Sequence, residues 1–326
     1  MKALVTGATG FTGGRLARFL TERGDDVRAL VRDRVNAGPL ASASIEIVQG
    51  DLKDRASLER AVAGVEVVYN IAALYRDAGL SAAAYRAVNA TAVGEIVTLA
   101  KRAGVRRVVH CSTVGVHGDV EHPPANEDAP LRPGDVYQET KLEGEHAGTE
   151  AARRAGMEFV IVRPSGIYGP ADRRLFKVFG AVAQRRFLML GRGRHFYHVT
   201  YIDDLCEGFR LCATVPRAAG RTYILAGGEV TTLAELVRVT AEVARVPPPT
   251  RRLPVWPVWL AGAACEAIFT PLGMSPPLYR RRVDFFRKSR AFDISRARRE
   301  LGFEPKVTLR EGIGRTLEWY REQGWI

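Results

Sequence analysis

Tyr137-Gln138-Glu139-Thr140-Lys141 sets a phenol and an ammonium one turn apart on a single helix face. A phenol titrates near pH ~10 and is a poor base at neutral pH, but a neighbouring lysine charge favours the phenolate. Such a pair can take a proton from a hydroxyl or return one to a carbonyl oxygen. Thr113, after Ser112 at the end of a strand-like run, supplies a hydroxyl that orients the same oxygen. Near the start, Thr6-Gly7-Ala8-Thr9-Gly10-Phe11-Thr12-Gly13 follows a strand-like run and opens a helical one. Glycines at the Gly7, Gly10 and Gly13 spacing let the backbone approach a pyrophosphate whose charge faces the helix N-terminus. The chemistry this set predicts is hydride transfer with a nicotinamide dinucleotide, Tyr137 moving the proton.

The elements that must hold these residues alternate. Short apolar strands are predicted over Lys2–Thr6, Val27–Val31, Ile45–Gln49, Val65–Ile71, Val105–Ser112 and Phe159–Arg163. Helices are predicted over Gly13–Arg23, Ser57–Ala63, Ala82–Arg102 and Tyr137–Ala155. This alternation implies an α/β fold with a doubly wound parallel Rossmann sheet, ligands lying at the carboxyl ends of the strands. Thr6, Asn70, Thr113 and Arg163 fall at or near such ends. Beyond Pro164 the pattern turns irregular, and a smaller, mixed C-terminal substrate domain is expected. The division is 1–164 with 197–225 for the dinucleotide domain, and 165–196 with 226–326 for the substrate domain. Thr232–Ala244 and Thr308–Arg321 read as capped amphipathic helices.

The bulk properties suit a globular chain: 326 residues, 46% hydrophobic, with a net charge of +12 that is mostly arginine, lysine standing at seven positions. Such a field draws anionic partners. Nucleic acid is not expected among them, because no basic segment is interleaved with aromatics. Cys111, Cys206, Cys212 and Cys265 have neither metal-ligand nor disulfide spacing, so no metal is expected and the thiols are read as buried and unpaired with one another. The first residues run straight into a strand without a leader pattern, which predicts a cytoplasmic protein.

At the end of the second strand stands Leu30-Val31-Arg32-Asp33. Val31 occupies the place of the acid that selects NAD, and Arg32 beside it suits a 2′-phosphate, so NADP is favoured; Asp33 keeps NAD in play. Asp51 and Leu52, after the third strand, are expected to flank the adenine.

With those residues in place the chain resembles the extended short-chain dehydrogenase/reductase family, the NAD-dependent epimerase/dehydratase group. The resemblance runs over nearly the whole length. Asn70-Ile71-Ala72-Ala73 is similar to the family's fourth-strand motif beside the nicotinamide ribose, and Asn89 to its helix asparagine. Cys111 through Gly118 resembles the active-site strand, and Arg163-Pro164-Ser165-Gly166-Ile167-Tyr168-Gly169-Pro170 the passage into the substrate domain. Segments around His198–Leu205 and Phe292–Phe303 resemble the C-terminal signatures. The resemblance implies Thr113, Tyr137 and Lys141 as the catalytic set. For the cofactor it implies Thr9, Phe11, Thr12, Asn70, Ala72, Ala73, Asn89, Pro164 and Ile167 beside the glycines, with Lys141 on the ribose hydroxyls. It also implies a homodimer through the 82–102 and 137–155 helices. Family dehydratases place Asp-Glu after the active-site hydroxyl; here Val114 and Gly115 stand there, so dehydration is not expected.

For the substrate two signals diverge. Arg192-Gly193-Arg194 stands where nucleotide-sugar enzymes of the family hold a diphosphate, and with Ser112 and His117 it marks a substrate contact set. That favours a nucleotide-sugar epimerase. The run Leu253-Pro254-Val255-Trp256-Pro257-Val258-Trp259 onward to 272 is apolar but broken by prolines, and reads as a flap over the substrate rather than a spanning helix. It is similar to segments of the 3β-hydroxysteroid dehydrogenase branch that cover a lipid substrate or touch a membrane. The alternatives are therefore an NADP-dependent dehydrogenase or reductase of a lipidic or sterol-like alcohol, and a non-catalytic NADP(H)-binding regulator.

Overall fold

Apolar runs too short for helices and flanked by glycine become strands β1 (Lys2–Thr6), β2 (Asp26–Val31), β3 (Glu46–Gln49), β4 (Val67–Asn70), β5 (Arg107–Cys111) and β6 (Glu158–Pro164). They are followed by β7 (Gly166–Tyr168), β8 (Met189–Leu190), β9 (Val199–Tyr201), β10 (Thr222–Leu225) and β11 (Arg252–Leu253). The computed structural model describes residues 1–41, 44–75, 79–269, 271–272, 274 and 276–326. Thr270, within the apolar segment, lies outside the described residues, as do the side chains of Arg281 and Arg282. Seven strands form one parallel sheet in the order β10-β6-β5-β4-β1-β2-β3. The order reverses at β1, between β2 and β4, which opens the crevice where a doubly wound sheet takes its ligand. Thr6 lies opposite Asn70, and Asn70 opposite His110, so the three sit in one row at the carboxyl ends of β1, β4 and β5. The short pairs β7–β9 and β8–β11 build the other side of the molecule.

The central strands are buried on both faces, as parallel strands covered by helices must be. Leu16, Phe19, Leu205 and Phe209, from helices Phe11–Glu22 and Ile202–Thr214, fill one side. Leu58, Ile96, Val97 and Ala152, from helices Arg55–Val62, Ala92–Arg102 and Val136–Ala155, fill the other. Some of the arginine content serves this scaffold. Arg107, 1% exposed, donates to the carbonyls of Cys212, Ala213 and Val215 at the end of one helix and to Glu158 at 2.7 Å. Arg28 donates likewise to Ala61 and Ala63. A cation at the carbonyl end of a helix meets its unsatisfied acceptors and its negative pole.

One expectation is corrected. The helix expected unbroken over 82–102 is α-helical at Ala82–Arg86, widens to a π-turn at Ala87–Thr91, and resumes as Ala92–Arg102. The apolar segment, read as a flap, contains a continuous helix, Val255–Phe269. Pro257 falls in its first turn, where a missing N–H leaves no bond unmade. Of its residues only Gly262 is buried, while Trp256, Leu260 and Ile268 are exposed. Among the described residues no helix is long and apolar enough to cross a membrane.

Candidate active site

The glycine loop is tight for reasons of space. Gly7 has φ +68, and a Cβ on it would lie 2.8 Å from Ala72 Cα; one on Gly13 would lie 2.3 Å from the Gly7 oxygen. Gly10 donates to the Gly7 carbonyl at 2.9 Å and leads into the helix at Phe11. No side chain caps that helix start and no acid stands in its first turn, so its first N–H groups face a crest formed by exposed Thr9 and Gly10, with Thr12 half-buried behind. This arrangement fits a dinucleotide pyrophosphate, with Ala72 and Ala73 alongside. At the end of β2, Arg32 is exposed, and the Asp33 carboxylate accepts the Val35 N–H at 2.9 Å. The Asp51 carboxylate accepts the Lys53 N–H at 2.8 Å, and Leu52 is half-buried next to it.

Asp135 caps the helix Val136–Ala155 by accepting the Gln138 N–H at 2.9 Å, which fixes Tyr137 in the first turn and Lys141 one turn on. Thr113 Oγ1 accepts the Gly115 N–H at 3.0 Å, leaving its proton to donate to a substrate oxygen. Gly115 fits closely here, since a Cβ would lie 3.2 Å from both Thr113 Oγ1 and Gln138 Cγ. The Tyr75 ring meets Tyr137 edge-on with centroids 4.9 Å apart. Arg174, bonded to Asp172 at 3.1 Å, reaches within 5.6 Å of the Tyr75 ring and 5.5 Å of the Phe11 ring. Phe11 of the helix after the glycine loop, Tyr137 of the helix Val136–Ala155 and the loop after β7 thus meet around Tyr75 and Arg174. Neither residue was marked by any spacing in the sequence; only the fold brings them together.

Behind Lys141 runs a buried polar row. Thr6 Oγ1 accepts the N–H groups of Ile71 and Ala72, each at 3.1 Å, and donates to Asn70 Oδ1 at 2.8 Å. Asn70 Nδ2 lies 3.2 Å from His110 Nδ1, and His110 Nε2 lies 3.5 Å from Lys141 Nζ. The Asn70 side chain is therefore bonded within the sheet ends. Burial, then the lysine charge, pushes His110 well below the usual histidine range. Burial also lowers Lys141, against the opposing pull of Cys111 and Glu145. Asn89 is bonded too: it accepts the Leu74 N–H at 2.9 Å and donates to the Leu74 carbonyl and Thr140 Oγ1. The π-turn carries it to that loop, and Gly144 allows the approach, since a Cβ there would lie 2.1 Å from the Asn89 oxygen.

A second buried network underlies Thr113. Arg163 binds Glu145 through two bonds of 3.0 and 2.6 Å, and Ser112 donates to the same carboxylate. Arg163 Nη1 also donates to His117 Nε2 at 3.2 Å and to the Glu127 carbonyl at 3.1 Å. Burial, then the Arg163 charge, lowers His117 to about 4, so its ring is a neutral acceptor at ordinary pH. Ser112 and His117, expected at the substrate, have their polar atoms engaged by protein groups here. Pro164 and Ile167 are buried where β6 passes to β7. Arg192 and Arg194 are exposed on the turn after β8, whose Gly193 carbonyl accepts the Ala234 N–H. Among the described residues no contact joins these two arginines to Tyr137 or Thr113.

The substrate side is aromatic instead. Burial raises the Tyr197 phenol against the pull of the Arg290 charge, and its ring packs edge-on against Phe285 at 4.9 Å. Phe285 meets Phe286 at 5.0 Å, and Phe286 meets Phe187 at 6.4 Å. The exposed apolar helix lies beyond, where a Cβ on Gly191 would touch Val255 and Arg287 stacks over Trp259 at 5.2 Å.

Comparison with known proteins gives four findings. The sequence profile of the NAD dependent epimerase/dehydratase family matches residues 3–226. Sterol demethylase protein B of Methylococcus capsulatus is 32% identical and aligns over 100% of both chains. The 2-alkyl-3-oxoalkanoate reductase of Stenotrophomonas maltophilia is 30% identical over 97% of this chain and 98% of that one. Among solved structures, MoeE5 in complex with UDP-glucose and NAD superposes with a TM-score of 0.77 at 26% identity, covering 99% of each chain.

Proposed function

We propose that this chain, which belongs to the NAD dependent epimerase/dehydratase family and is an enzyme of the extended short-chain dehydrogenase/reductase type, is a dehydrogenase or reductase of a bulky apolar secondary alcohol or ketone. The observation that carries the reading is a pair of aromatic groups, Tyr75 edge-on to Tyr137 and the cluster of Tyr197, Phe285 and Phe286, which offer apolar surface to a substrate. Two relatives named for a sterol and for an alkyl-oxoalkanoate point the same way. NADP(H) is the favoured cofactor, on the exposed Arg32 and the absence of an acid at Val31. When bound, the nicotinamide supplies the hydride to the ketone carbon or accepts it from the alcohol. Tyr137 gives the carbonyl oxygen its proton, Thr113 donates a second hydrogen bond to that oxygen, and Lys141 orients the phenol. A homodimer through the helices of residues 92–102 and 136–155 is the assembly this reading includes.

A second reading, nucleotide-sugar epimerisation, is favoured by the likeness to MoeE5 with UDP-glucose and NAD and by exposed Arg192 and Arg194. One experiment separates them. The purified protein is expected to consume NADPH with ketones on apolar ring or long-chain scaffolds, rate rising with apolar size, and to leave UDP-glucose unchanged. Tightly retained NAD with interconversion of UDP-sugars, and no NADPH consumption, would overturn the first reading.

The same reading includes a lipid surface as partner. The helix Val255–Phe269 is apolar all round and half-buried to exposed, with Trp256, Leu260 and Ile268 facing solvent, a composition that in water calls for a cover. Exposed Arg251 and Arg252 stand at its start and Arg287 at its side, while its one acid, Glu266, is bonded to Arg280. Arginines around an apolar helix suit an anionic bilayer and repel a second copy of themselves. Flotation with vesicles containing phosphatidylglycerol is expected to recover the protein, more weakly at high salt. Trp256→Glu with Leu260→Glu should cut recovery at least tenfold and leave NADPH binding unchanged. Equal recovery of that variant, or its conversion from dimer to monomer, would overturn the lipid assignment.

A further inference from the structure

We propose that Arg174 and Arg290, with the Tyr197 phenol, form a subsite for a carboxylate in the cleft beside Tyr137. The preferred substrate is then an apolar hydroxy or oxo acid whose carboxylate stands a few bonds from the reacting carbon. The inference deepens the dehydrogenase or reductase reading and rests on it.

Arg174 reaches into the cleft from the loop after β7. Its Nε donates to Asp172 at 3.1 Å and its Nη2 to the Ile167 carbonyl at 3.3 Å. Among the described residues Nη1 has no partner, and the side chain is 40% exposed although the Phe11 and Tyr75 rings flank it. The guanidinium is thus anchored on one edge and open on the other, the geometry in which an arginine fork receives a planar carboxylate. Its charge bears on the end of β5: burial raises the Cys111 thiol, and the Lys141 charge and then the Arg174 charge oppose that rise. Cys111 stands two residues before Thr113, so the open edge belongs to the same cleft as the proton-transfer groups.

Arg290 comes from another part of the chain. A backbone bridge sets it beside Tyr197, its N–H donating to the Phe196 carbonyl and its carbonyl accepting the His198 N–H. Its Nε is buried without a partner, and among the described residues its side chain forms no ion pair or hydrogen bond. Burial raises the Tyr197 phenol, while the charges of Arg290 and, after it, Arg174 pull it down. The phenol oxygen lies 3.4 Å from where a Cβ on Gly166 would stand, beside the passage from β6 to β7.

The surroundings select the ligand. A neutral apolar substrate filling this cleft would strip water from both guanidiniums and leave their open donors unmet, whereas a carboxylate meets them. Asp172 already offsets part of the Arg174 charge, so the remainder suits a monoanion better than a diphosphate. Phe285 and Phe286, packed next to Tyr197, receive the apolar remainder of the molecule. The cofactor pyrophosphate has its own donors at the uncapped helix start after Gly10.

The test compares β-hydroxydecanoate with its methyl ester, which share a chain and differ in charge, in oxidation with NADP+. The acid is expected to show a kcat/KM at least about tenfold higher, and Arg174→Gln should bring the ratio close to one. Arg174→Lys, which keeps the charge but loses the fork, should fall between. Arg290→Gln should lower the ratio severalfold, an effect that a local distortion around Arg174 would not produce. A ratio near one in the wild type, or an unchanged ratio in both glutamine variants, would overturn the subsite. An unchanged ratio with weaker NADPH binding in Arg174→Gln would overturn it too, and assign that arginine to the cofactor phosphates. Wild-type protein that oxidises neither compound would tell against the reaction, and binding then judges the subsite by itself. Decanoate is expected to bind the NADP+ complex at least about tenfold tighter than decanol, with the difference erased in Arg174→Gln; equal affinities in the wild type would overturn the proposal.

Discussion

Replacing Tyr137 by phenylalanine is expected to cut turnover by about 10²–10⁴-fold, the range that a positioned general acid or base supplies, with dinucleotide affinity unchanged. The Tyr75 ring, edge-on at 4.9 Å, can pack against the phenylalanine as it does against the phenol. The Asp135 cap and the Gln138 bonds that fix the helix start are also untouched. What disappears is the single O–H that passes a proton to the substrate oxygen. Thr113 cannot replace it, since a hydroxyl titrates far from neutrality and its oxygen already accepts the Gly115 N–H. Steady-state rates beside a fluorescence titration of NADPH separate the two effects. Wild-type turnover in Tyr137→Phe would refute the catalytic assignment, and a parallel collapse in NADPH affinity would mean that the phenol holds the cofactor instead.

The largest stability loss is expected from Glu145→Ala. Glu145 and Arg163 are 3% and 5% exposed, and removing one partner of such a pair leaves a buried, uncompensated charge at a cost of about 3–5 kcal/mol. Here the loss spreads, because Ser112 also loses its acceptor and Arg163 pulls away from His117 and the Glu127 carbonyl. Arg163 joins β6 to the loop after Thr113, so the hydroxyl that orients the substrate should move as well. The double variant Glu145→Leu with Arg163→Leu should recover much of the stability, since an apolar pair removes the stranded charge. Denaturant unfolding of the two single variants and the double measures the coupling. A loss below about 1 kcal/mol in Glu145→Ala would show that water reaches the site and the pair is not the buried keystone the geometry describes.

The alternating strands and helices were legible because each run is contiguous and short-range rules govern it. The glycine loop and the Tyr137–Lys141 spacing were readable for the same reason. What the sequence hid was set by tertiary contact. Tyr75 and Arg174 come from loops a hundred residues apart in sequence, roughly, and carry no periodicity; Tyr197, Phe285 and Phe286 meet only after two small strand pairs form. His110 read as one more residue of a buried strand, and nothing local distinguishes it until β4 places Asn70 opposite. That the apolar segment would form a helix was not legible through its prolines: Pro257 breaks a helix from the inside but not from its first turn.

The π-turn at Ala87–Thr91 holds one more residue per turn than the α-helices on either side of it. A single-codon deletion there would rewind the helix to regular pitch with the sheet intact, and swing Asn89 about 100° away from the Leu74 backbone. The reach of the Tyr75 loop toward Tyr137 is thus encoded as a count of residues in a neighbouring helix. A ruler of that kind tolerates changes of side chain far better than changes of length, so the stretch from 82 to 91 should accept substitutions of its exposed residues but not the loss of a codon.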